Sequence, residues 1–181
     1  MNKEEVNNLV NFLKDYSYTL PMAIEGIEDM EEYRARWVAQ ADSEWLDIVI
    51  DALHDDVQMQ HQETDNISSE RHWQFAGILG EWAKKDPSFV IPKIGSLLTD
   101  DRIRPIIIDA LGYADRHQSL KWLATLIPIA QQLSEGELFD LINAIGQINT
   151  PKSHILLRQL KTFVEQKASN VHDNIDSYLR L

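Results

Sequence analysis

The stretch IIIDALGYADRHQSLKWLATLI, residues 106–127, decides how this chain is organised. Most of its apolar residues recur three or four positions apart, which is the spacing of one face of an α-helix. The run YADRHQ at 113–118, which directly follows Gly112, is polar and is typical of a turn. The stretch therefore predicts a helix, a short turn and a second helix.

This pattern occurs three times. A step of small and apolar residues recurs as Ile78-Leu79-Gly80, Ala110-Leu111-Gly112 and Ala144-Ile145-Gly146. At four fixed distances after each glycine, all three units carry an apolar residue: Val90, Trp122 and Leu156; Ile91, Leu123 and Leu157; Ile94, Leu126 and Leu160; Leu97, Ile129 and Phe163. Repeated helix pairs of this kind indicate an α-solenoid, in which each pair buries its apolar face by stacking on the next.

The turns carry residues that start helices. Asp86-Pro87 and Thr150-Pro151 each place a side-chain acceptor at the cap and a proline at the first helical position. Gly95 lies inside a predicted helix, where glycine costs about 1 kcal/mol relative to alanine. We therefore expect a neighbouring helix to approach it closely.

The remaining segments complete one domain, 1–181. Residues 1–54 are predicted to form acidic N-terminal helices, including an atypical first pair at 29–40 and 44–54. A polar connector that is partly helical and mobile is predicted at 55–69, three repeats at 70–167 and a C-terminal cap at 168–181. No segment shows a sustained period of two, so we expect almost no strand. The tryptophans at 37, 73, 82 and 122 fall on apolar helix faces, so we expect them in the core.

The segments at 106–127 and 141–164 resemble HEAT-type repeats, in which a first helix ends in Ala-Leu-Gly and a second carries paired leucines. The likeness covers roughly residues 70–167. It departs from the pattern in the 55–69 connector. It implies an all-α fold, a short α-solenoid of about four HEAT-like helix pairs with an N-terminal helix and a C-terminal capping helix. It also implies a binding scaffold, although that scaffold serves many functions.

The charge is concentrated at one end. The chain has 181 residues, a net charge of −12 and no cysteine. All of the excess negative charge lies in residues 1–65, which would repel nucleic acid and anionic membranes and attract basic surfaces. The first residues are acidic and no long apolar run follows, so neither a secretory signal nor a membrane span is expected. These features, with the missing cysteines, predict a cytoplasmic protein.

No motif indicates catalysis or a bound cofactor. His54 and His61 lie seven residues apart, a spacing that is not a known zinc arrangement. The glycines of Gly77-Ile78-Leu79-Gly80 fall within a helical pattern rather than after a strand, so they do not form a phosphate-binding loop. No serine or threonine stands at a distinctive spacing from a histidine. We therefore predict that the protein is not an enzyme and needs neither a metal nor a cofactor.

The segment EWLDIVIDALHDD, residues 44–56, is the candidate binding site. Helical geometry places Glu44, Asp47, Asp51, His54 and Asp55 in one sector, while apolar residues occupy most of the rest. The fold does not require these acids, because later repeats carry other residues at the same places. One interpretation is a solvated face. The other is a docking surface for a basic protein, formed by Glu44, Trp45, Asp47, Asp51, His54, Asp55, Asp56, Glu28, Asp29 and Glu32.

Three functions are consistent with this surface. Size, acidity and helical repeats resemble bacterial immunity proteins, including those of contact-dependent growth-inhibition systems, which neutralise a toxin that is commonly a basic nuclease. That resemblance implies a cognate toxin as partner and a free protein that is a monomer. A general HEAT-like scaffold or regulator is the second candidate. A HEAT-like enzyme is the third: a bilin lyase stays open, but a DNA glycosylase would require a basic groove.

Overall fold

The computed structural model describes residues 30–42, 45–59, 65–164 and 169–180. These residues form α-helices and two 3₁₀ segments, and none of them lies in a strand. The helices are α1 (Met30–Gln40), α2 (Leu46–Met59), α3 (Asp65–Lys85), α4 (Pro87–Gly95), α5 (Arg104–Tyr113), α6 (Ser119–Leu123), α7 (Glu135–Gln147), α8 (Pro151–Phe163) and α9 (Ser169–Leu179). The 3₁₀ segments Ser96–Thr99 and Ala124–Gln132 continue α4 and α6. The prediction of an all-α fold is confirmed.

Helices of alternate position along the chain pack against one another. In the first layer, α1 contacts α3, α3 contacts α5, α5 contacts α7, and α7 contacts α9. In the second layer, α4 contacts α6, and the 3₁₀ segment after α6 contacts α8. Side-chain contacts place α2 beside α4, because Asp47 reaches Lys93 and His54 approaches Asp100. Each described second-layer segment thus contacts the second-layer segment before or after it in the chain.

The apolar positions shared by the repeats form the core. Ile91, Leu123 and Leu157 occupy equivalent places and are buried, as are Ile94, Leu126 and Leu160. The equivalent residues farther along, Leu97 and Ile129, are half-buried, whereas Phe163 in the last unit is exposed. Burying an aliphatic side chain of this size stabilises a fold by about 1.5–3 kcal/mol, so these positions hold the layers together.

Glycines allow neighbouring helices to approach closely. A Cβ atom added at Gly112 would lie 2.8 Å from the Cα of Ala144 on α7, and one added at Gly146 would overlap the ring of Tyr178 on α9. Gly95, on α4, faces the ring of Trp122 on α6 in the same way. The close approach expected at Gly95 is therefore confirmed. The repeated glycine is required by contact between successive units.

Side chains complete the helix ends. Asp86 accepts a hydrogen bond from the N–H of Phe89, and Thr150 accepts one from the N–H of Ser153, as their sequences predict. Ser134 and Glu137 form a capping box at the start of α7. The Lys85 ammonium donates to the carbonyls of Val38 (2.8 Å) and Ala41 (2.7 Å), which joins the last turn of α1 to the end of α3. These contacts satisfy backbone groups that a helix cannot satisfy within itself.

The first layer also carries polar contacts between units. Arg104 on α5 donates to Glu137 on α7 at 3.0 Å, and both side chains are largely buried. Burial pushes the pKa of Glu137 upward, but hydrogen bonds from Ser134 and Arg104 outweigh it and hold this pKa below its ordinary value. The charged form of Glu137 is therefore stabilised where α5 meets α7.

The predicted 55–69 connector is helical at both ends, since α2 extends to Met59 and α3 begins at Asp65. One expectation needs correction. Trp73, which periodicity places among core residues, is 64% exposed. It lies in the first half of α3, which has 21 residues against 10 in α5, and periodicity does not reveal how far a neighbouring helix extends. The helix predicted before residue 29 lies outside the described residues.

Candidate functional site

Helix α2 is buried on one side and acidic on the other. Leu46, Val49 and Leu53 are buried in the core, as are Ile50 and Ala52. Asp47, Asp51 and Asp55 are exposed, and the Asp47 side chain is 64% accessible. The predicted separation of the three aspartates from the apolar residues is thus confirmed. Their role in binding a partner stays a prediction.

Equivalent positions on the other second-layer helices also face solvent. Pro92 and Ser96 on the α4 segment are exposed, and so are Arg158 and Thr162 on α8. In the α6 segment Pro128 is exposed and Ala124 is half-buried. We call these positions, together with Asp47, Asp51 and Asp55, the exposed strip. The strip runs from acidic residues on α2 through uncharged residues to arginine on α8.

One of the three aspartates is already paired within the chain. The Asp47 carboxylate lies 2.5 Å from the Lys93 ammonium on α4. Among the described residues, Asp51 and Asp55 form no hydrogen bond or ion pair. A partner could therefore approach Asp51 and Asp55 without displacing a cation of the described residues, whereas Asp47 is partly neutralised by Lys93.

His54 belongs to a second charged group at the edge of α2. Its ring lies 3.8 Å from Asp100, which also binds Arg102 at 2.7 Å. The hydrogen bond from Arg102 lowers the pKa of the Asp100 carboxyl. His54 therefore faces a carboxylate that stays ionised, and it is less available to a partner than its place in the acidic sector predicts.

The other predicted site residues are only partly described. Trp45 is half-buried and packs against the core, so only part of its ring is available to a partner. Glu32 is half-buried and already takes part in an intramolecular interaction. Glu28, Asp29 and Glu44 lie outside the described residues, as does the side chain of Asp56.

The opposite end of the strip opens into a cationic pocket. A cavity of about 270 Å³ is lined by Arg158, Lys161 and Thr162 from α8 and by His172 from α9. Lys161 binds Asp176 at 2.5 Å, and this hydrogen bond lowers the pKa of Asp176. The sequence pattern does not reveal this pocket, because Arg158 and His172 are brought together only by the packing of α9 on α8.

A polar cluster in the first layer was also missed. The ring of His72 on α3 binds the carboxylate of Asp109 on α5 at 2.5 Å. Asp140 on α7 lies within electrostatic range of both groups. Burial and the nearby Asp109 charge raise the pKa of Asp140 to about 6. Within the described side chains, no group of three or more His, Asp or Glu residues is arranged to hold a metal ion. The raised pKa of Asp140 makes the stability of the folded chain depend on pH.

No helix among those described is long and apolar enough to cross a membrane. Comparison with protein-family models, with characterised proteins and with solved structures found no match to this chain.

Proposed function

We propose that this protein is a protein-binding module, a short α-solenoid of about four HEAT-like helix pairs that captures a basic protein through the acidic end of its exposed strip. The observation that carries the proposal is the arrangement of α2. Five apolar residues of this helix are buried, while Asp51 and Asp55 stand exposed and, among the described residues, without an intramolecular cation. The alternating contacts of the two layers support the solenoid.

Long-range charge supports the same partner class. The excess negative charge of the chain lies in its first 65 residues, at the end of the sequence that carries α2. Such a field speeds the encounter with a positively charged surface and fixes its orientation. It disfavours nucleic acid and anionic membranes as partners.

Among basic partners we propose a toxin, with a nuclease as the leading class and this protein as its immunity or inhibitor protein. The active cleft of a nuclease is cationic because it binds phosphates, and exposed carboxylates can occupy that field in place of phosphates. This proposal includes a non-enzymatic, cytoplasmic protein that is a monomer when free. A general HEAT-like scaffold is the alternative, since nothing in the exposed strip limits it to one partner. A HEAT-like lyase would instead be accompanied by its pigment or carrier protein.

The test uses two charge-matched variants. Asp51→Lys/Asp55→Lys reverses the free aspartates of α2, whereas Asp101→Lys/Asp173→Lys makes the same change in net charge at exposed positions elsewhere. Wild type and both variants are immobilised, and captured proteins are identified by mass spectrometry. We expect one strongly basic protein on the wild type and on the control variant, and none on the α2 variant.

The captured protein is then expressed with and without this chain. Growth that is lost with the captured protein alone and restored by co-expression supports an immunity function, whereas several unrelated partners favour a scaffold. The association rate should fall steeply as salt increases. Equal capture by the two folded charge variants would exclude α2 as the binding site.

A further inference from the structure

The pocket between α8 and α9 has cationic groups that the proposed function does not use. Arg158 is exposed and, among the described residues, forms no ion pair or hydrogen bond, so none of its N–H donors is used by a partner in that part of the chain. The Lys161 ammonium uses one donor for Asp176, which leaves others free. The Thr162 hydroxyl donates to the carbonyl of Gln159, so it offers a ligand only acceptor capacity.

The pocket walls are mainly carbon. Most of the surface that lines this open pocket is apolar, although its described residues are Arg158, Lys161, Thr162 and His172. Its volume of about 270 Å³ is slightly below the roughly 300–1,000 Å³ of pockets that hold drug-sized ligands. A ligand that fits has a small apolar body and an anionic group that reaches the cations.

We propose that this pocket binds a small organic anion, with its apolar body against the α8 and α9 side chains and its anionic group held by Arg158. A phosphate ester should bind more tightly than a carboxylate. Phosphate carries more negative charge at neutral pH, and its oxygens match the two parallel donors of a guanidinium. The site is separate from the aspartates of α2, which lie at the acidic end of the exposed strip.

Three probes with the same ring test the proposal: phenyl phosphate, benzoate and benzyl alcohol. Each is titrated into the full chain at constant ionic strength while the backbone amide signals are followed by NMR. We expect saturable shifts around residues 158–162 and 171–173. Affinity should decrease from phenyl phosphate to benzoate, and benzyl alcohol should cause no saturable shift in the low millimolar range.

Two variants on the same helix locate the site. Arg158→Ala should weaken phenyl phosphate binding about tenfold or more, as expected for loss of a charge-assisted hydrogen bond. Arg158→Lys should restore only part of the affinity, because an ammonium lacks the guanidinium fork. Lys152→Ala, at an exposed position in the first turn of α8, should change affinity by less than about twofold.

Three results would overturn the proposal: no saturable binding of phenyl phosphate, equal binding of benzyl alcohol, or equal losses in the Arg158 and Lys152 alanine variants. The last would indicate nonspecific attraction to surface cations. The amide spectrum of each variant reports whether it is folded, so a lost site is distinguished from a lost structure.

Discussion

Helices α2 and α8 bury similar aliphatic side chains but expose side chains of different charge. Both bury aliphatic residues in the second layer, Leu46 and Leu53 on α2 and Leu157 and Leu160 on α8. At equivalent exposed positions, however, α2 carries Asp47 and Asp51 where α8 carries Arg158 and Thr162. Packing therefore constrains the residues on the buried side of these helices, while the residues on the exposed side are free to form a binding surface.

The largest expected change in stability comes from replacing a buried residue of α8, and its exposed neighbour in the sequence serves as the control. Leu157→Ala should lower the free energy of unfolding by about 2–5 kcal/mol, because it leaves a cavity in a fully buried site. Arg158→Ala, one position farther along α8, should change it by less than about 0.5 kcal/mol. Urea denaturation followed by circular dichroism measures both. A similar loss of stability in the two variants would show that the exposed side of α8 also contributes to packing.

Contact between units should give the next largest effect. Gly112→Ala places a methyl group 2.8 Å from the backbone of Ala144, and overpacking of this kind costs about 1–3 kcal/mol. Alanine favours a helix more than glycine does, which offsets part of this cost. We therefore expect the free energy of unfolding, measured by urea denaturation, to fall by about 1–2 kcal/mol. Gly136→Ala is the matched control, because nothing lies within 4 Å of its added Cβ. The control should be as stable as wild type or slightly more stable, and a Gly112 variant that behaves likewise would contradict the packing.

The polar cluster of the first layer should make stability depend on pH. The pKa of Asp140 is raised from 3.8 to about 6, so the folded state binds this proton more tightly than the unfolded state. The resulting destabilisation is absent well below pH 3.8, grows as pH rises towards 6 and is complete above it. Asp140 is only half-buried, so solvent screens its charge and the effect on stability is smaller than the raised pKa alone would give. We therefore expect Asp140→Asn to raise the free energy of unfolding by about 1–2 kcal/mol at pH 8.

Most of that gain should disappear at pH 4, near the ordinary pKa of aspartate. Urea denaturation at the two pH values measures the difference. Asp101→Asn, at an exposed position, should change stability by less than about 0.5 kcal/mol at either pH. A gain for Asp140→Asn that is equal at pH 8 and pH 4 would show that the buried charge is not its cause.

The smallest expected change in stability comes from removing the lysine that pairs with Asp47 at the acidic end of the exposed strip. Lys93→Ala removes the cation beside Asp47, and a surface ion pair contributes only about 0–1 kcal/mol. Stability should therefore change little in urea denaturation, while a third unpaired aspartate becomes available on α2. Association with the basic partner should become faster, measured by surface plasmon resonance at low salt. A slower association would mean that Lys93 itself contacts the partner.

Much of the fold was predictable because its signals are local. The equivalent places of Ile91, Leu123 and Leu157 follow from helical spacing, and Asp86 and Thr150 mark helix starts by the chemistry of their side chains. The exposure of Asp51 and Asp55 also follows, because the apolar residues of α2 fix the side that is buried. Trp73 was misplaced because periodicity identifies a helix face without showing whether a neighbour covers it.

The sequence by itself determined an all-helical chain with repeated apolar positions, capped helix starts and an acidic first third. These properties depend on residues within a few turns of one another. Only the tertiary structure decided that Lys93 pairs with Asp47, that His72 binds Asp109, and that Arg158 and His172 line one pocket between α8 and α9. Each of these contacts joins different helices, so it depends on their distance and rotation, which local spacing does not specify.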